Sequence, residues 1–138
     1  MKIDTSEEYY DILNTIDRLR GECIKQYGNV NKASKYFGSR HLNKYLNSNA
    51  YSLGFNLLTK ICKFLDISYQ FALFGGVEEH YLEQIPTFNN FYKTYKDIYK
   101  GEVDHSIYRC YWAKKVPLKY LIKVAKRSRK TVDFLIGG

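Results

Sequence analysis

The stretch LLTKICKFLDISYQFALFGG, Leu57 to Gly76, decides the fold. Leu58, Ile61, Cys62 and Leu65 recur at helical spacing, so a helix over about Leu53 to Leu65 buries them together with Phe55. Asp66 breaks the run and Ser68 caps a second, short helix through Phe74. Gly75 and Gly76 close it, because glycine accepts the left-handed backbone found at helix ends. The last residues, LIKVAKRSRKTVDFLIGG (121–138), repeat that order: apolar-periodic helix, polar break, short helix, Gly-Gly.

Laid on each other, GFNLLTKICK (54–63) and PLKYLIKVAK (117–126) match at a constant offset of 63. Phe55 meets Leu118, Leu58 meets Leu121, Ile61 meets Val124 and Cys62 meets Ala125. Deleting one residue near Asp66 brings the Gly-Gly ends into line. Upstream, RHLNKYLNSN (40–49) and HSIYRCYWAKK (105–115) each set a short amphipathic helix before a polar turn. So many matched positions read as an internal repeat.

The rest of the chain keeps the helical period, and strand signals are almost absent. Thr5 and Glu8 have capping-box spacing, Ile12, Leu13, Ile16, Leu19, Cys23 and Tyr27 share a face, and Gly28 stops that helix. Val30 to Phe37 forms a short helix with Ala33 and Phe37 inward and Gly38 as terminator. Ser39 caps the next, which turns Leu42, Tyr45 and Leu46 in and Arg40, His41, Asn43, Lys44 and Asn47 out. Thr87 caps FNNFYKTYKDIY (88–99), where Phe88, Phe91, Tyr92, Tyr95, Ile98 and Tyr99 follow the i, i+3, i+4, i+7 rule, and Gly101 ends it. Asp104 caps a helix with Ile107, Cys110 and Tyr111 inward. Pro117 stands at the first position of another, with Leu118, Leu121, Ile122 and Ala125 as its buried stripe, and Thr131 caps the last. The fold class is all-α, with a first domain at 1–76, an acidic connector at 77–87 and a second, shortened repeat at 88–138.

A chain of 138 residues with 45% hydrophobic and 26% charged residues is globular. Its net charge of +8 favours an anionic partner. No apolar run reaches the length of a membrane span, and MKIDTSEEYY lacks the apolar core of a signal peptide. Cys23, Cys62 and Cys110 are odd in number, scattered and set among apolar neighbours, which suits reduced thiols in the cytoplasm. There is no Cys-x-x-Cys, no His-x-x-x-His and no Gly-rich phosphate loop. The Asp104-His105-Ser106 triplet cannot act as a relay, since adjacent helical residues diverge. No metal, cofactor or enzymatic activity is expected.

Positions 10–76 resemble the phage lambda repressor and Cro type of helix-turn-helix domain, a five-helix DNA-binding fold. The resemblance rests on GFNLLTKICKFLDISYQFALFGG (54–76), similar to that family's fourth and fifth helices, and on KASKYFGSRHLNKYLN (32–47), similar to its helix-turn-helix proper. Two features depart from the family: a turn about one residue shorter at Gly38-Ser39, and GNVN (28–31) where Gln or Thr is usual at the head of the second helix. Residues 88–138 resemble a shortened copy lacking one N-terminal helix. The resemblance implies a regulator of repressor type that binds double-stranded DNA, as a homodimer or through both repeats. By position it implies that Ser39 holds a phosphate and that Arg40, His41, Asn43, Lys44 and Asn47 face the major groove, with Tyr108 and Arg109 their counterparts in the second repeat.

The second repeat adds charge. From His105 to Lys130 there are nine Lys or Arg and no Asp or Glu, with Lys114, Lys115 and Lys119 placed for phosphate contact. Aromatic residues reach 17%, a content that suits base stacking, but most sit at core spacing. Trp112, after the inward pair Cys110 and Tyr111, belongs at the edge of the core or at an interface. The alternative reading is a protein-interaction or dimerisation module with a decayed helix-turn-helix.

Overall fold

The structure, a computed structural model, describes residues 2–38, 41–47, 53–76, 85–100, 102 and 104–138, with the backbone alone at positions 41 and 47. These residues form nine α-helices and no strand. The helices are α1 (Glu8–Tyr27), α2 (Val30–Phe37), α3 (His41–Asn47), α4 (Phe55–Leu65), α5 (Tyr69–Phe74), α6 (Asn89–Tyr99), α7 (His105–Trp112), α8 (Leu118–Ser128) and α9 (Val132–Ile136). The chain is all-α, as its periodicity predicts. It divides into two compact units: Tyr10–Leu82, and Glu83–Gly138 joined by Met1–Tyr9. Residues 77–84 of the expected connector lie outside the described residues.

In the first unit, α4 buries Phe55, Leu58, Ile61, Cys62 and Leu65, the five residues its period selects. The helix ends because Asp66 adopts the left-handed region (φ 55°), which lets the Ile67 N–H return to the Cys62 carbonyl at 3.1 Å. The Ser68 hydroxyl then accepts the Phe71 N–H at 3.0 Å and starts α5. Arg18 of α1 donates to the carbonyls of Ala72 and Leu73 at 3.3 and 3.0 Å, satisfying acceptors that the end of α5 leaves open. Ile16, Leu19 and Cys23 of α1 are buried, and burial pushes the Cys23 thiol up to about 11, so it is an inert packed thiol.

The second unit repeats the scaffold. Helix α8 buries Leu118, Tyr120, Leu121, Ile122, Val124 and Ala125, and α6 packs on both α8 and α9. Arg129 is left-handed (φ 58°), and the Thr131 hydroxyl accepts the Phe134 N–H at 3.1 Å. The offset of 63 therefore runs from Phe55/Leu118 through Asp66/Arg129 and Ser68/Thr131 to Phe71/Phe134. The missing residue does not fall near Asp66, as sequence alignment suggests. It falls in the last helix, which has six residues in α5 and five in α9. The end of α9 is tied to the start of α6: the N–H groups of Thr87 and Phe88 both donate to the Ile136 carbonyl, at 2.8 and 2.9 Å.

Several ends differ from their sequence reading. Helix α1 starts at Glu8, whose carboxylate is buried 3.8 Å from the Lys123 ammonium instead of closing a capping box with Thr5. The turn before it is held by Asp4, which accepts the Ser6 N–H at 2.9 Å. Phe88, left-handed at φ 60°, intervenes between Thr87 and α6, and the Thr87 hydroxyl accepts the Asn89 N–H at 3.4 Å. Left-handed Lys100 ends α6, while Gly101 lies outside the described residues. Pro117 precedes α8 by one residue.

Candidate nucleic-acid interface

Helix α3 has seven residues, too few to persist alone, so its neighbours must hold it. Leu42 and Leu46 are both fully buried and anchor one side. Asn29 starts α2 by accepting the Lys32 N–H at 2.8 Å, and Gly38 ends it in the left-handed region at φ 83°. Ser34 of α2 is buried, its hydroxyl folded back on the Val30 carbonyl at 3.0 Å, which keeps that position small and self-satisfied. Helices α2 and α3 pack on each other. The Asn43 amide donates to the Asn31 side-chain carbonyl of α2, and the Arg20 guanidinium of α1 donates to the Leu46 carbonyl in the last turn of α3. Arg20 is itself oriented by Asp17 at 3.1 Å.

The expected contact residues of the first unit therefore separate. Lys44 is exposed. Asn43 is half-buried and bridges α3 to α2, so it builds the helix pair as well as facing its edge. His41 and Asn47 are the first and last residues of α3. Ser39 and Arg40 lie outside the described residues.

In the second unit, Asp104 caps α7 by accepting the Ser106 N–H at 2.9 Å. Its other oxygen accepts the Ile3 N–H at 3.0 Å, so the carboxylate that starts α7 also anchors the first residues of the chain. Arg109, Lys115 and Lys119 are exposed. Lys119 lies 5.2 Å over the Tyr120 ring. Lys114 is differently placed. It is left-handed (φ 54°), donates to the Thr87 carbonyl at 2.8 Å and sits 4.2 Å over the Tyr111 ring, so its ammonium is part of the fold.

Tyr108 belongs to an aromatic cluster that sequence reading did not assemble. Tyr92 of α6 stacks on Tyr111 of α7 at 4.4 Å with planes 7° apart. Tyr108 packs 6.1 Å from Tyr92, and Trp112 stands edge-on to both Tyr108 and Tyr111, at 5.9 and 5.8 Å. Trp112 is 63% exposed and Tyr108 40%. Burial, with Tyr108 and Tyr111 nearby, raises the Tyr92 hydroxyl above its ordinary range, so it stays neutral. The spacing of 108, 111 and 112 is i, i+3, i+4, which is the signal in the sequence. Tyr92 comes from another helix and no local pattern announces it.

Compared with family models, with curated proteins and with solved structures, the chain matches none. Its chemistry rests on its own residues. Among the described residues no group of His, Cys, Asp or Glu could hold a metal ion, and no helix is long and apolar enough to cross a membrane.

Proposed function

We propose that this chain binds double-stranded DNA in a sequence-specific manner in the cytoplasm and regulates transcription as a repressor-type factor. The observation that carries the reading is the basic surface of the second unit. Of the nine Lys and Arg between His105 and Lys130, eight are exposed, and the ninth, Lys123, faces Glu8. No Asp or Glu interrupts them in sequence. Soluble surfaces ordinarily mix charge signs, and a one-signed block suits a polyanion. Each phosphate such a surface neutralises releases condensed counterions, which favours binding at low salt.

Helix α3 is the element offered to the major groove. Its buried Leu42 and Leu46 leave Lys44 on the outside, and Arg40 precedes it in sequence. Arginine can fork onto guanine, which makes Arg40 the first candidate for base readout, while Arg109, Lys115 and Lys119 supply phosphate contacts. A homodimer would place two such helices on adjacent half-sites.

Selection from random duplexes followed by a salt titration tests this. Changing Arg40 and Lys44 together to Ala should cost about tenfold or more on the selected sequence and little on random duplex. Lys115→Ala and Lys119→Ala should weaken all duplexes alike, each lowering the salt slope by about one. Absence of duplex binding at low salt, or an unchanged affinity in the Arg40 and Lys44 double variant, would sink the reading.

A further inference from the structure

Exposed aromatic side chains are common singly, but a contiguous group of them on one short helix is not. Trp112 and Tyr108 stand open beside the stacked pair Tyr92 and Tyr111, a half-buried pair whose rings pack against theirs. The cluster is edged by cations. Lys96 lies 4.7 Å over the Tyr92 ring, Lys114 lies 4.2 Å over Tyr111, and Arg109, one helical turn before Trp112, is exposed.

Two exposed aromatic rings, inclined 66° to each other and edged by cations, suit one chemistry: planar bases strung on phosphates. A duplex hides its base faces in its own stack and offers only edges, so a ring-face surface has no use for it. An unpaired strand offers both faces and phosphate together. We infer that Trp112 and Tyr108 form a stacking platform for single-stranded DNA, with Arg109 and Lys96 taking the flanking phosphates. The choice of DNA over RNA rests on the duplex-binding function proposed above, whereas the platform itself does not. The base contacts divide, with α3 reading paired DNA and Trp112 and Tyr108 of α7 holding unpaired bases, while Arg109 meets phosphate in either case.

Trp112 is the single tryptophan of the chain, so its emission reports this surface alone. The full-length protein is titrated with a thymidine homopolymer, an abasic strand of equal length and a uridine homopolymer, with a labelled thymidine strand followed by anisotropy for variants. The thymidine strand should quench Trp112 to saturation and bind roughly tenfold more tightly than the abasic strand. Trp112→Leu should lose about tenfold, Tyr108→Ala several-fold, and Trp112→Phe should recover most of the affinity. Both positions are exposed, and circular dichroism of each variant verifies that the helices persist. Lys44→Ala should weaken duplex binding and leave the thymidine strand unaffected, which separates failure of the platform from failure of the duplex reading. Equal binding of the abasic strand, or an unchanged affinity in Trp112→Leu, overturns the platform. A preference for the uridine strand overturns the assignment to DNA. Trp112 emission that follows protein concentration and ignores added strand shows that a second copy covers the surface, which also overturns it.

Discussion

Asp104 directs both carboxylate oxygens at backbone N–H groups, Ser106 on its own helix and Ile3 a hundred and one residues away, at 2.9 and 3.0 Å. Burial at 3% exposure alone would raise its carboxyl. The donations from Ile3 and Ser106 favour the charged form, and the net direction is down. A carboxylate whose folded pKa lies below its unfolded value adds stability that is complete above the unfolded value. That stability is lost as pH falls through the folded one. Denaturant midpoints of the second unit should therefore decline as pH falls below the ordinary aspartate value of about 3.9. Asp104→Asn should be less stable near neutrality, because a neutral amide is a weaker acceptor. Its midpoint should also vary less over that acid range. Urea titrations at several pH values measure both effects, and an equally steep acid limb in the variant would mean that another carboxylate carries it.

Ser68 and Thr131 do the same work in the two copies of the scaffold. Each hydroxyl accepts the N–H three residues on, at 3.0 and 3.1 Å, two residues after the left-handed residue that ends the longer helix. Ser68→Ala and Thr131→Ala should each cost about 1 kcal/mol, read as a shift in urea midpoint with unchanged slope. Ser68 is fully buried and Thr131 exposed, so the Ser68 change should be the larger of the two. These caps were legible in the sequence because a cap is a local device: a hydroxyl, an apolar run and a fixed spacing suffice. The buried stripes of α4 and α8 were legible for the same reason. Where distant residues compete for the same groups, a local reading does not see the second partner. Glu8 looked like the far side of a capping box, yet it faces Lys123 on α8. Asn43 looked like a free groove residue, yet its amide is bonded to Asn31. Lys114 looked like a phosphate contact, yet it is held by the Thr87 carbonyl and the Tyr111 ring.

The repeat in the sequence suggests a boundary between copies, and the first nine residues do not respect it. Met1–Tyr9 group with Glu83–Gly138, although Glu8 and Tyr9 open a helix whose remaining residues belong to the other unit. A unit of about fifty residues has a marginal core, and the added segment gives it two polar anchors. The Ile3 N–H closes on Asp104, and the Glu8 carboxylate, 1% exposed, sits against Lys123. A hydrogen bond to an ionised acceptor contributes about 1.5–3 kcal/mol. Deleting residues 2–7 removes the Ile3 donor and leaves one oxygen of Asp104 without that partner. The expected loss is about 2 kcal/mol, and it should be unequally spread. Native-state hydrogen exchange should show faster opening across α7, whose cap is Asp104, and across α8, which carries Lys123. The amides of α4 and α5 should keep their protection, because their caps and buried stripes lie wholly within Tyr10–Leu82. Trp112, at the end of α7, should report the same loosening as a change in emission. Equal loss of protection in both scaffolds would show instead that the two units open as one cooperative body, and the first residues would then be a strap for the whole chain.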